Sequence, residues 1–309
     1  MGRNRKRRSE GRKINGILLL DKPFGCTSNA ALQEVKSLYK AAKAGHTGSL
    51  DPIATGMLPI CFGEATKISA FLLDADKSYE VLCQFGEKTN TGDIEGEVIS
   101  RRDVPDITQS VLSKTIEPFL GDIEQIPPMY SALKHKGKRL YDLARQGIEV
   151  ERKARPVHIF SIDIIDVDKT TARLQIACSK GTYIRTLVED IGEVLGCGAH
   201  VAELRRLSVG VYEDSSQMIT LDELTANSQE GTDSIDDFIL PLESAVSHWP
   251  DVHLTQDTAY YIRQGQAVQV AQAPSEGMVR IFQGEDEFVG LGQIQEDGKV
   301  APKRLFNND

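Results

Sequence analysis

Apolar residues fall along this chain in short runs with two different periods, and together they predict a mixture of strands and helices. Residues 14–20 are a nearly unbroken apolar run that stops at Asp21 and Lys22, the pattern of a buried strand. Pro23 and Gly25 then turn the chain. Thr27 or Ser28 can cap a helix reaching to about residue 39, with Ala31, Leu32, Val35 and Leu38 along one face. After a glycine-rich loop come a strand at 57–62 and a helix at 64–73. Strands at 79–85 and 97–101 flank a turn-rich stretch in a hairpin-like arrangement. A helix is expected at 110–119, a strand at 129–133, and one short helix in the exposed basic stretch that follows. Residues 157–167 and 171–178 alternate apolar and polar, as an antiparallel pair should. Ile184, Leu187, Val188, Ile191 and Leu195 share one face of a helix over 183–195, and 202–212 return to strand.

The acidic stretch at 225–237, rich in Ser, Thr and Asn, reads as a long surface connection. Residues 251–309 hold short strands at 267–270, 277–282 and 288–294 between Gly and Asp turns. Strands and helices without regular βαβ alternation predict an α+β fold: a mixed, largely antiparallel sheet with flanking helices, plus a small C-terminal β module. The domain plan is a basic flexible arm at 1–13, a main domain at 14–250 and the module at 251–309.

Composition narrows the class. With 40% hydrophobic and 26% charged residues, the 309-residue chain reads as a soluble globular protein. No apolar run approaches the ~18 residues of a membrane span, and no apolar segment follows the basic N-terminus as a secretory signal requires. The expected location is the cytoplasm, with no membrane partner. Five cysteines at wide spacing predict small buried hydrophobes rather than disulfides, and the six histidines form no ligand pair, so no metal is expected; no cofactor is expected either. The net charge of −9 is awkward for a nucleic-acid enzyme, but it is unevenly distributed. Residues 213–262 contain eleven carboxylates and no Lys or Arg, whereas 134–155 contain eight Lys or Arg against three acids. A basic face beside an acidic one is therefore available.

The most informative stretch is Gly45-His46-Thr47-Gly48-Ser49-Leu50-Asp51-Pro52-Ile53-Ala54-Thr55-Gly56. Its glycines let backbone turn sharply and approach a substrate, and the proline holds Asp51 extended or in a turn. Read from the residues alone, it is a rigid loop displaying one carboxylate and one imidazole. A plain turn in which Asp51 bonds nearby N–H groups is the competing reading. Arg185, one turn into an amphipathic helix, reads on spacing alone as a surface charge.

This loop closely resembles the signature of the TruB family of tRNA pseudouridine synthases. Lys22-Pro23, Ser78-Tyr79-Glu80, the run from Gly181 through Leu187, and Leu204-Arg205-Arg206 with Val209-Gly210 match further family motifs in order across about 200 residues. The resemblance implies isomerisation of uridine to pseudouridine at position 55 in the T-loop of transfer RNA, with Asp51 as the catalytic carboxylate and Arg185 beside it, lowering its pKa. It implies a flipped uridine stacked on Tyr79, a pocket lined by Tyr183 and Leu204, and His46 holding the RNA loop open. Residues 127–156 resemble the family's mobile RNA-closing insertion, where Lys134, Lys136, Lys138 and Arg139 would meet phosphates. Residues 251–309 resemble a PUA-type RNA-binding module. The catalytic subunit of a guide-RNA particle and an RNA-folding protein are the alternative readings. The basic insertion, and a C-terminus without a long lysine-rich tail, favour stand-alone action needing no guide RNA, and a monomer is expected because no apolar heptad or exposed hydrophobic helix suggests an interface.

Overall fold

The structure, a computed structural model, describes residues 11–229 and 231–307. Strand β1 (Gly16–Lys22) is buried almost throughout, as its apolar run requires. Helix α1 (Ser28–Leu38) begins where the Thr27 hydroxyl accepts from the Ala30 N–H, and it turns Ala31, Leu32 and Val35 inward. Strands β2 (Ala44–His46) and β3 (Ala54–Phe62) bracket the glycine loop. The helix expected at 64–73 is broken into a 3-10 turn (Gly63–Lys67) and a short α2 (Ser69–Asp74). Thr66 donates its hydroxyl to Gly63 O, and Ser69 donates to Thr66 O, so side chains occupy carbonyls a continuous helix would use.

Strand β4 (Lys77–Phe85) ends at Gly86, whose φ of +91° turns the chain out of the sheet. The expected hairpin therefore forms one step later: β5 (Glu87–Thr89) pairs with β6 (Val98–Arg101), while β4 runs through the middle of the main sheet. Helix α3 (Gln109–Ile116) leads to β7 (Gly121–Gln125), an edge strand too polar to show in the hydrophobic pattern. Residues 129–133 are irregular rather than strand, following two prolines that supply no N–H for a ladder. A tight hairpin, β8 (Lys134–His135) and β9 (Lys138–Arg139), and a short α4 (Leu140–Ala144) complete the insertion. Strands β10 (Arg155–Val167) and β11 (Thr171–Cys178) form the expected antiparallel pair, bent by two bulges. Helix α5 (Ile184–Val194) and strand β12 (Ala199–Val209) follow.

The acidic stretch is more ordered than its composition suggests. After β13 (Ile219–Thr220), Thr220 and Glu223 form a reciprocal capping box that starts α6 (Leu221–Ser228), and a 3-10 turn spans Asp233–Phe238. The main sheet runs β13-β1-β3-β12-β4-β11-β10-β7, with β2 on β3. Only the β1/β13 and β3/β12 pairings are parallel, so the sheet is mixed and largely antiparallel. Leu18, Leu58, Val81 and Ile176 pack one face against α1 and α5, while Leu19, Met57 and Cys61 face a second cluster on the other side.

Four strands, β14 (Asp251–Leu254), β15 (Met278–Gln283), β16 (Glu287–Ile294) and β17 (Val300–Leu305), make the small C-terminal sheet, with α7 (Gln256–Arg263) against it. The strand expected at 267–270 is reduced to one bridge, Val268 to Val300. Phe282, Phe288 and Phe306 join the second core cluster beside Leu19 and Met57, so the module is packed onto the main domain. Residues 1–10 of the expected arm lie outside the described residues. Its described end is fixed in place: Arg12 bonds Lys40 O and Ala42 N through its backbone and pairs with Asp236 through its guanidinium. Among the described residues no helix is long and apolar enough to cross a membrane, and four cysteines are buried while Cys26 is half-exposed.

Candidate active site

The glycine loop spans the gap between β2 and β3, and two of its glycines are required by backbone conformation. Gly48 and Gly56 sit at φ +83° and +94°, and a Cβ on Gly56 would come within 2.2 Å of Arg206 O. Ser28 tightens the loop from α1, its hydroxyl accepting from Leu50 N at 2.7 Å. Lys22, wholly buried, donates to the carbonyls of Cys26 at 2.7 Å, Pro23 at 2.9 Å and Pro52 at 3.3 Å. These contacts strap the Asp51-Pro52 corner to the end of β1.

Arg185 enters from the first turn of α5 and is 4% exposed, not the surface charge its spacing suggested. Its Nε lies 2.9 Å from Asp51 Oδ2, a close ion pair whose N–H is not aligned along the contact. Its other nitrogens are fixed by the fold. Nη1 donates to Thr91 O at 2.8 Å and lies 3.4 Å from Asp93 Oδ2, while Nη2 donates to Tyr130 O at 2.7 Å. The guanidinium thus joins the Asp51 loop, the turn between β5 and β6, and the root of the insertion.

Asp93 is the residue that sequence reasoning missed. It is buried, and its Oδ1 accepts from the Thr91 hydroxyl and the Glu95 N–H. In the sequence it is one more Asp in a turn, the commonest place for one, and no local signal marks it.

Burial pushes the Asp51 carboxyl above the usual carboxylate range; Arg185 pulls it back, Asp93 pushes it further up and Lys22 lowers it. The expectation that Arg185 sets a lowered value is therefore corrected: its pull is present, but desolvation outweighs it. The side chain keeps 39% of its surface open to water, so the carboxylate remains accessible to a substrate.

Tyr79, on β4, is half-buried, and its phenol is pushed up by burial while Arg206 opposes the rise. Tyr183 precedes α5 and is clamped by Gln125, which accepts from its N–H at 3.0 Å and donates to its carbonyl at 3.3 Å. Burial pushes the Tyr183 phenol up as well, and the charge of Asp51 adds to the rise at both phenols. Leu204 is buried opposite Ala54 and Val81 in the sheet. His46 ends β2 with its Nδ1 buried and without a hydrogen-bond partner, and burial lowers its pKa.

In the insertion, Lys134, Lys136, Lys138 and Arg139 are all exposed on the β8–β9 hairpin, with Lys136 and Gly137 at positive φ in its turn. The guanidinium groups of Arg139 and Arg145 lie 5.7 and 5.6 Å from the Tyr141 ring centre. An open hollow of about 700 Å³ beside them is lined by Lys134, Lys138, Arg139 and Arg145. Among the described residues no group of three His, Cys, Asp or Glu is placed to hold a metal ion.

Comparison with known proteins decides the family. Residues 36–184 match the family model described as TruB family pseudouridylate synthase (N terminal domain). Residues 185–247 match the tRNA pseudouridylate synthase B C-terminal domain, and 250–306 match pseudouridine synthase II TruB, C-terminal. The chain is 53% identical over 302 residues, 98% of each chain, to tRNA pseudouridine synthase B of Nitrosococcus oceani.

This chain belongs to the TruB family.

Yersinia pestis tRNA pseudouridine synthase B is 54% identical over 313 residues, covering 99% of this chain and 95% of that one. Among solved structures, a Cbf5-Nop10-Gar1 complex matches with a TM-score of 0.73 and 27% identity, covering 94% of this chain and 85% of that one. An H/ACA RNP bound to a substrate RNA containing 2'-deoxyuridine matches with a TM-score of 0.72 and 25% identity, with the same coverage. The TruB chain therefore shares its fold with these solved chains over 94% of its length.

Proposed function

We propose that this TruB chain isomerises uridine to pseudouridine at position 55 in the T-loop of transfer RNA, with Asp51 as the catalytic carboxylate. One observation carries the reading: Arg185, buried and fixed by two carbonyls and Asp93, holds a water-accessible carboxylate at 2.9 Å on a strapped loop. The reaction breaks the N1–C1′ bond, turns the uracil, and joins C5 to C1′. The proton leaves C5 for solvent, and N1 takes one up. Nothing is oxidised or reduced and no water is consumed, so the second carboxylate of an inverting glycosidase has no counterpart here. Asp51 acts as a nucleophile at C1′ or removes the C2′ proton to give a glycal; both routes need its anion.

The target uridine must leave its stack to reach Asp51. Tyr79 stacks on it, a contact worth about 1–3 kcal/mol per base, and Tyr183 and Leu204 complete the pocket. His46 helps hold the RNA loop open, occupying space near the displaced nucleotide. Lys134, Lys136, Lys138 and Arg139 hold phosphates from the insertion, whose root is tied to the site through Tyr130 and Arg185. Residues 14–250 act as the catalytic unit and 251–309 as a PUA-type RNA-binding module, in a monomeric, cytoplasmic enzyme.

The solved relatives assembled in H/ACA particles raise a guide-dependent reading. Stand-alone action is favoured because full-length relatives twice as similar carry the name tRNA pseudouridine synthase B. The test is to incubate the purified chain with unmodified tRNA transcript carrying tritium at uridine C5. Release of tritium to water without guide RNA is expected. Binding without release would overturn the enzymatic reading, and release only on adding guide RNA would overturn stand-alone action.

A further inference from the structure

We propose that Arg206 is a positioning residue for this site, closing the base of the Asp51 loop and registering it against Tyr79; the inference rests on the function proposed above. Arg206 is 1% exposed and the largest of the fully buried side chains. Among the described residues it forms no ion pair with a carboxylate, although an unpaired buried charge is costly and an apolar side chain of similar volume would avoid that cost. What satisfies it instead is backbone on both sides of Asp51, together with the side chain of Tyr79. Its Nε donates to Met57 O at 2.7 Å, and its Nη2 donates to Gly48 O at 3.4 Å.

The rest of the packing points to the same residue. Arg206 lies opposite Gly56 in the β3/β12 pairing and opposite Tyr79 in the β4/β12 pairing. Gly56 has no room for a Cβ because the Arg206 backbone occupies the space, and Nη1 lies 3.6 Å from where a Gly48 Cβ would stand. The loop therefore leaves β2 and returns to β3 against one side chain, and that side chain faces the ring assigned to the flipped base. Arg185 fixes Asp51 from the helix side, and Arg206 fixes the loop from the sheet side. The Lys22 strap holds the corner between them, so carboxylate and ring are set in one frame rather than on two independent loops.

The experiment compares Arg206→Met and Arg206→Lys with wild type by single-turnover tritium release, tRNA affinity and thermal melting. Leu224→Ala, a truncation in the buried face of α6, serves as the core-destabilised control. Every rate is measured well below the melting temperature of the variant concerned. Arg206→Met is expected to bind tRNA like wild type and to lose about 100-fold in single-turnover rate, the scale of a misplacement near 1 Å. Arg206→Lys, keeping the charge and reaching one of the two carbonyls, is expected at an intermediate rate, while Leu224→Ala keeps the wild-type rate. A wild-type rate in Arg206→Met with only a lowered melting temperature would overturn the proposal. Should the methionine variant not fold, a wild-type rate in Arg206→Lys overturns it and a slowed rate at unchanged affinity supports it. A wild-type chain that releases no tritium removes the proposed function itself, and is read separately from either variant.

Discussion

Replacing Asp93 with Asn tests whether Arg185 is held from behind. The side chains of Asp93 and Arg185 are 6% and 5% exposed, and their contact is 3.4 Å. Breaking a buried ion pair costs about 3–5 kcal/mol. The lower end applies here, because Arg185 keeps Asp51 and two carbonyls, so its charge is not orphaned. The Asn oxygen can still accept from the Thr91 hydroxyl and the Glu95 N–H, so the turn itself should persist. A loss of about 3 kcal/mol in a chain of this size lowers the melting temperature by roughly 6 °C. The looser guanidinium also loosens Asp51, and the single-turnover rate should fall by about 10- to 100-fold. A further sign distinguishes this from general destabilisation. Removing the Asp93 charge removes one of the influences that raise Asp51, so the acid limb of the rate–pH profile should move to lower pH. The assays are calorimetric melting and single-turnover tritium release across pH. An unchanged melt and rate, or an acid limb moving upward, would refute the reasoning.

Two further outcomes follow from the same geometry. In wild type, Asp51 works as the anion while burial raises its pKa, so the rate should fall on acidification at a pH above the usual carboxylate range, read from the single-turnover rate against pH. Replacing Lys138 and Arg139 with Ala removes two exposed cations; the slope of log affinity for tRNA against log salt should shrink by about 1.4–1.8, with the bound-state rate little changed.

How much was legible in the sequence varied with how local the cause was. The β1 run, the Thr27 cap of α1 and the periodic face of α5 are set by neighbours a few residues apart, and they formed where expected. Gly86 also acts locally, yet its positive φ moved a hairpin by several residues, because a glycine does not announce which way it turns the chain. The capping box at Thr220 and Glu223 was readable, but the acidic composition around it suggested a connection instead. The Arg185–Asp51 and Arg185–Asp93 contacts join residues 134 and 92 positions apart, so no spacing rule could supply them. The resemblance brought Asp51 and Arg185 together in advance. It supplied neither Asp93 nor the desolvation that reverses the expected direction of the Asp51 pKa.

The central claim is that the carboxylate of Asp51 does chemistry rather than holding its loop. The direct measurement pairs tRNA affinity with single-turnover tritium release in Asp51→Asn, which keeps the shape and removes the charge. Wild-type affinity with no release above background is the result the account requires. Near-normal release from that variant would contradict it, whatever the fold around the site looks like.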